Sequence, residues 1–243
     1  MSSQKAESEA APIQGRGLSR LCIFTNNCRG YNSKKESIEK YVIEAMRPDV
    51  INISETLLRN QAKINQRDYF AFCQNRPDGT GGGGIATLVA DYLKPNATRV
   101  AANNVNGEYM IIRFDHVKPA LNVIHIYGQI EAEAGPEMVL EGWNLIQQEL
   151  IKIEARQEAV LMVGDMNRAI GNDEHGVRGN KRKISPGGRL IRNLVSCGKF
   201  FLLNNMNSTK GGPWTRICPA GGRPSCLDLA LASSNLMPHV KEM

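Results

Sequence analysis

The sequence predicts an α+β chain: a sheet-on-sheet core with helices packed outside it. Three observations point there. Strand-like apolar runs outnumber helical ones. Long helical stretches follow β-type runs in each half of the chain, which neither an all-β pattern nor strict βαβ alternation would give. There is no internal repeat and no convincing linker after about residue 20, so residues 20–243 read as one domain and residues 1–19, polar and rich in small residues, as a disordered tail.

Composition permits this and excludes little. The 243 residues are 42% hydrophobic, enough to bury a sizeable core. A net charge of +6 admits an anionic partner without demanding one. Six cysteines (Cys22, Cys28, Cys73, Cys197, Cys218, Cys226) make no CxxC pair, and the histidines show no zinc spacing. No run has the apolar length of a membrane span, and the first residues lack the apolar stretch of a secretory signal. The expectation is a reduced, intracellular protein without a membrane partner.

In chain order, "LCIFT" (21–25) is a short buried strand. "SKKESIEKYVIEAMRP" follows as a helix, with Ser33 and Glu36 spaced as a capping box, Ile38, Tyr41, Val42 and Ala45 on one face, and Pro48 closing it. "DVINIS" is a strand ending at Glu55. "DYFAFCQ", "IATLVA", "YMIIRF" and "LNVIHIY" are further β-runs, separated by turn-formers such as "RPDGTGGGG". From Pro136 to Gln157 runs the clearest helix, with Val139, Trp143, Ile146, Leu150 and Ile153 at helical spacing. "AVLMVGD" is a strand, "GRLIRNLVSCG" a helix stopped by Gly198, and "KFFLLNN" a strand; "PWTRICP" and "CLDLALAS" read as the last two.

Polar residues recur where the apolar runs end: Asn26 and Asn27 after "LCIFT", Glu55 after "DVINIS", Tyr127 closing "LNVIHIY", and Asp165 and Asn167 after "LMV", with Asp228 inside "CLDLALA". Strand ends can gather side chains from distant segments at one sheet edge. Two or three carboxylates and an amide gathered so would form a hard, oxygen-rich site suited to Mg²⁺ rather than zinc, and hence to phosphodiester hydrolysis. Singly, each signal has an ordinary structural explanation. Gly-Asp-x-Asn is an Asx-type turn, Glu55 a helix-start acid and Tyr127 a core residue. Asp228 is harder to explain away, because a buried charge needs a partner.

The order and separation of Asn27, Glu55, Tyr127, "GDMN" and "LDLALAS" resemble the endonuclease/exonuclease/phosphatase superfamily from about residue 20 onward. Within it, "NNCRGYNSKKESIEKYV", "GDMNRAIGN", "SPGGRLIRNLVSCGKFFLLNN" and "GGPWTR" are similar to the apurinic/apyrimidinic-type endonuclease domain of non-LTR retrotransposons. The resemblance implies a DNase I-like, four-layer α/β/β/α sandwich. It also implies Mg²⁺ (Mn²⁺ as the alternative), DNA as partner, an accompanying reverse transcriptase, and action in the nucleus. By the same resemblance, Glu55 is the chief metal ligand with Asn27 close to the metal. Asp165 aligns or deprotonates the attacking water, Asn167 and Tyr127 contact the scissile phosphate, and Asp228 orients a catalytic histidine.

Two departures stand out. Ser54 precedes Glu55 where the family usually has Gln. The family's final Ser-Asp-His element lies beyond the "LDxxLxS" strand, and Met243 follows that strand shortly. The expectation is a domain without its C-terminal strand, weak or inactive in isolation, since His116, His125, His175 and His239 stand in the wrong contexts to replace the missing histidine. The segment after Asp165 is cationic; Arg168, Lys181, Arg182 and Lys183 read either as a solvated loop or as DNA-backbone contacts. "DGTGGGGIATLVA" lacks the Lys-Ser/Thr ending of a phosphate-binding loop and reads as a hairpin turn. A phosphoinositide or lipid phosphodiesterase of the same fold and a non-catalytic nucleic-acid-binding remnant remain as alternatives.

Overall fold

A computed structural model describes residues 20–75, 83–103, 108–128, 130–171, 177, 183–206, 209, 215 and 226–242. The expected tail, most of the glycine-rich turn, Lys181, Arg182, His175 and all of "PWTRICP" except Thr215 lie outside the described residues.

Two sheets form the centre. The first has the order β1-β2-β4-β3, made from β1 (Ile23–Asn27), β2 (Val50–Ser54), β3 (Tyr69–Gln74) and β4 (Ile85–Ala90). The second has the order β5-β6-β7-β8-β10-β9, from β5 (Ala97–Asn103), β6 (Glu108–Phe114), β7 (Leu121–Tyr127), β8 (Ala159–Asp165), β9 (Phe200–Leu202) and β10 (Asp228–Ser233). β1 pairs parallel with β2, and β7 parallel with β8. Between the sheets lies an apolar layer that includes Val50, Ile85, Val89, Met110, Ile112, Phe114 and Val123. Residues of α1 (Tyr31–Ile38) cover the outer face of the first sheet through Tyr31 and Ile38. α2 (Glu131–Ala155) and α3 (Pro186–Ser196) cover the second through Trp143, Ile146, Leu150, Ile153 and Ile191. The layers are therefore α/β/β/α, as expected.

Several local expectations change. The capping box does not form. α1 starts at Tyr31 with Gly30 at its N-cap, so Ser33 sits inside the first turn, its hydroxyl donating to the Gly30 carbonyl at 2.9 Å. After Ile38 the helix widens into a π-helical turn, Glu39–Glu44. The wider turn carries Tyr41 and Ala45 out to solvent while Ile38 and Val42 stay buried. β5 was not expected: as an edge strand it alternates polar and small residues and has little apolar signal. The helix from Pro136 holds, because Gly135 (φ 78°) breaks the turn preceding it.

The chain reversal in the two parallel pairs directs their C-terminal ends to one end of the sandwich. β1 ends there at Asn27, β2 at Ser54, β7 at Tyr127 and β8 at Asp165; the antiparallel β6 and β10 begin there, at Glu108 and Asp228. Polar residues dispersed along the sequence are thus collected at a single rim.

Candidate active site

Glu55 follows the last residue of β2 in the left-handed region, φ 52°, a conformation that costs a non-glycine residue about 1–2 kcal/mol. The surrounding backbone enforces it. Cys28 N donates to Ser54 O at 3.0 Å, Gly30 N to Glu55 O at 2.8 Å, and Thr56 N to Gly84 O at 3.0 Å. Gly84 (φ 83°) is needed at that last contact, since a Cβ there would stand 2.5 Å from Thr56 Oγ1. The side chain is equally tied. Asn27 Nδ2 donates to Glu55 Oε1 at 2.7 Å, and the Tyr127 hydroxyl donates to the same oxygen at 2.9 Å. No described residue donates to Oε2.

Across the rim, Asp165 ends β8 just after Gly164. A Cβ on Gly164 would lie 2.1 Å from the Ile126 carbonyl oxygen, so only glycine lets β8 come this close to β7. Asp165 Oδ1 accepts from Asn167 N at 3.0 Å, the Asx-type turn read from the sequence. Its Oδ2 accepts from Asn27 Nδ2 at 3.0 Å. The turn and the site are therefore one structure. Asn167 (φ 48°) donates from Nδ2 to the Gly128 carbonyl at 2.7 Å, and Gly128 N donates to Asp165 O at 2.8 Å. The following loop is held by α3: Ser185 N donates to Ala169 O, and the Ser185 side chain caps Gly188 N at 3.1 Å, a cap worth about 1 kcal/mol.

The sheets thus bring Asn27, Glu55, Tyr127, Asp165 and Asn167 together, all of them residues picked out in the sequence. Their roles shift in detail. Asn27 spends both Nδ2 hydrogens on the two carboxylates, and its Oδ1 accepts from Arg29 N at 3.2 Å. Its amide nitrogen bridges the two carboxylates. The Tyr127 hydroxyl is committed to Glu55; burial and the negative charge of Glu55 hold its pKa far above the usual phenol value, so it remains a donor. Asp228 lies opposite Asp165 in the β8–β10 pair. Burial, reinforced by the charge of Asp165 and opposed by the Thr215 hydroxyl, pushes it up to about 6. No described histidine stands beside it. His125 is enclosed between the sheets, His116 packs on Phe114, and His239 lies in the segment that packs with Leu21 and Ile23 at the far end of the sandwich.

The cationic segment divides in two. Lys183 is exposed, just ahead of α3. Arg168, expected on a solvated loop, is 8% exposed, with Nη1 donating to the Asn167 carbonyl at 3.1 Å. It supports the Asp165–Asn167 turn from within rather than standing free in solvent. Sequence reading also missed Glu108, which is 1% exposed; its Oε2 accepts from Gly84 N at 2.6 Å, beside Tyr127 in the β6–β7 pair. A lone acid opening the run "EYMIIRF" was the available signal.

A model of the endonuclease/exonuclease/phosphatase family matches residues 26–242. The chain belongs to this family. The match contains every residue of the rim just described. Solved structures with the same fold include a 3′ phosphatase from Neisseria bound to a product DNA hairpin, with a TM-score of 0.66 and 15% identity, covering 90% of this chain and 89% of that one. They also include the catalytic domain of APE2 from Xenopus laevis (TM-score 0.65, 16% identity, 90% and 84% covered). A third is the AP endonuclease LMAP from Leishmania major (0.67, 14%, 91% and 81%). Among curated proteins, craniofacial development protein 2 of Bos taurus is 26% identical over 153 residues, which is 63% of this chain and 25% of that protein. The match thus spans about a quarter of that relative's length. Family members are hydrolytic nucleases and phosphatases, and generally use divalent metal ions.

The donors at the rim fit such an ion. Two carboxylates and an amide are hard oxygen groups, and Glu55 keeps Oε2 clear of described donors while Oε1 is fixed by two of them. Among the described residues, no group of three or more His, Cys, Asp and Glu is gathered as a closed metal cage.

Proposed function

We propose that the chain is a Mg²⁺-dependent DNA endonuclease of the non-LTR retrotransposon type, nicking target DNA to leave the 3′-hydroxyl that a reverse transcriptase extends. The observation that carries this reading is the Asn27 bridge, 2.7 Å to Glu55 and 3.0 Å to Asp165, which joins the expected metal-holding and water-holding carboxylates in one half-buried rim. Asp165, at the tip of β8, aligns a water and takes its proton as the oxygen attacks phosphorus; the P–O3′ bond breaks, leaving a 5′-phosphate, and the departing oxygen takes a proton from solvent water to become the 3′-hydroxyl. Glu55 would hold the ion, and Mg²⁺, when bound, would supply charge neutralisation at the phosphate. The second Nδ2 hydrogen of Asn167 is a donor for a phosphate oxygen, and the Asn27–Tyr127 pair fixes Glu55 so that it does not reorganise as charge develops.

DNA is the favoured substrate on the segments similar to retrotransposon endonucleases and on the cationic stretch after Asp165, and such an enzyme would work in the nucleus beside a reverse transcriptase domain. A substrate panel tests this. Supercoiled plasmid should be nicked in Mg²⁺ and inositol phosphates left intact, with an abasic duplex reporting any lesion preference; release of phosphate from inositol phosphates with no plasmid nicking would overturn it. One observation bears on the rate: Asp228 has no imidazole beside it among the described residues. Loss of such an acid–base group commonly costs about 10²–10⁴-fold in rate. Taken to its limit, the same observation gives a second reading, a DNA-binding domain that does not cleave.

A further inference from the structure

β7 sends two side chains from one face into the first sheet. Its residues alternate faces, so His125 and Tyr127 point the same way. They meet consecutive residues of the other chain segment: His125 Nε2 lies 2.9 Å from Ser54 Oγ, and the Tyr127 hydroxyl 2.9 Å from Glu55 Oε1. The second contact belongs to the site already described. The first lies wholly in the interior, with His125 fully buried and Ser54 1% exposed.

The hydrogen-bond chain through His125 has one consistent direction. Thr87 Oγ1 donates to Asn52 Oδ1 at 2.9 Å and so meets His125 Nδ1, 3.5 Å away, as an acceptor. Nδ1 then carries the ring proton, Nε2 is an acceptor, and the Ser54 hydroxyl donates to it. Burial pushes the imidazole down to about 3, so it stays neutral and keeps this polarity. The cost of the network is visible in Asn52, whose Nδ2 finds no partner. Three neighbouring strands, β2, β4 and β7, are thereby joined by polar contacts in a layer that is otherwise apolar, immediately beneath a residue held at φ 52°. A purely apolar pair would fill the space without leaving an orphaned amide.

We infer that His125 is a positioning residue for metal binding: through the Ser54 hydroxyl it fixes the end of β2 across the sheet interface, and so sets where Glu55 presents its carboxylate. The inference rests on the reading of Glu55 as the metal-holding carboxylate. The end of β2 is gripped on its edges by backbone bonds with residues 28, 30 and 84; from the opposing sheet Tyr127 holds the Glu55 carboxylate and His125 holds Ser54 itself. Groups that orient a ligand without touching the metal typically set about 10–100-fold of metal affinity.

The test is Mn²⁺ affinity, measured by electron paramagnetic resonance on the full chain, with thermal melting alongside. Ser54→Ala removes one oxygen and should remain folded; it is expected to bind Mn²⁺ about 10-fold more weakly. Ser54→Thr, which keeps the hydroxyl, is expected to bind as the unsubstituted chain does. His125→Leu should weaken binding by a similar factor, and the double variant no further, since both remove one interaction. Ser54→Ala with a lowered melting point and unchanged Mn²⁺ affinity would overturn the inference, because His125 would then serve stability alone. So would additive losses in the double variant. Glu55→Ala separates the two levels. If it abolishes Mn²⁺ binding while Ser54→Ala has no effect, only the His125 role falls; if it leaves Mn²⁺ binding intact, the metal reading of Glu55 falls and takes this inference with it.

Discussion

The two carboxylates that flank Asp165 at the rim are held in opposite ways. On one side, Glu55 has its backbone fixed by three strand-end hydrogen bonds and one carboxylate oxygen fixed by Asn27 and Tyr127. On the other, Asp228 is half-buried against Asp165 with a threonine hydroxyl as its help and no cationic partner among the described residues, and it rises to about 6. Two donors converge on one Glu55 oxygen, whereas burial and a like charge disfavour the charged form of Asp228. Under the proposed function, the Glu55 side of the rim is preorganised by fixed donors, whereas Asp228 has a threonine hydroxyl and no described cation beside it. If the proposed function holds, activity should depend on the first side and stability on the second.

Breaking the organised side should have the largest effect. Asp165→Asn keeps the turn's acceptor oxygen but loses the base, and is expected to lower plasmid nicking by about 10²–10⁴-fold with the fold intact by circular dichroism. Tyr127→Phe removes one of the two donors to Glu55 Oε1. The expected result is a Mg²⁺ requirement raised about 10-fold, seen as a rightward shift of the nicking-versus-Mg²⁺ curve. A variant indistinguishable from the parent in that curve would mean the Asn27 contact alone suffices.

Substitution on the unsupported side should do the reverse. Asp228→Asn is expected to leave nicking within about 3-fold, since an orienting role of this kind shows a larger effect only when an imidazole is present to be oriented. It should also raise the melting temperature at pH 7.5 by about 2–4 °C, the shift that about 1 kcal/mol gives at this chain length. The sign follows from linkage. The folded chain holds the Asp228 proton up to about 6, above the ordinary value of 3.8. Stability from this group is therefore fully present below about pH 4 and is lost as pH rises through 6. Melting curves across pH 4–7 should show that loss in the parent and a flatter profile in Asp228→Asn. A 100-fold drop in nicking in this variant would instead mean that a histidine does reach Asp228. The smallest effect is expected in the cationic stretch after Asp165: Lys181, Arg182 and Lys183 all changed to Ala should reduce the salt slope of DNA binding by about 0.9 for each phosphate no longer neutralised.

The sequence disclosed the rim better than the packing beneath it. Asp165 and Asn167 were legible because an apolar run breaks into Gly-Asp-x-Asn at a strand end, and the local turn is itself part of the site. Glu55 and Tyr127 were legible as strand-end residues, with their meeting implied only by the family resemblance. The Ser54–His125 contact was not legible, since it joins residues 71 apart across two sheets, and an alternating strand offers no sign of which face meets which partner. Arg168 misled for the converse reason. It stands in a basic stretch, yet the tight approach of α3 to the Ala169 carbonyl encloses the loop and buries its side chain. β5 and the π-helical turn escaped because an edge strand and an irregular helix lack the periodicity by which elements are read.

The convergence of Glu55 and Asp165 on one metal-assisted reaction is tested most directly by a double-variant cycle on Mg²⁺-dependent nicking of supercoiled plasmid, with the unsubstituted chain, Glu55→Ala, Asp165→Asn and the two combined. The expected result is slow nicking that EDTA abolishes, each single change falling to the same floor and the double no lower, as befits residues that act as a unit. Nicking that persists in Glu55→Ala at the rate of the unsubstituted chain would contradict it.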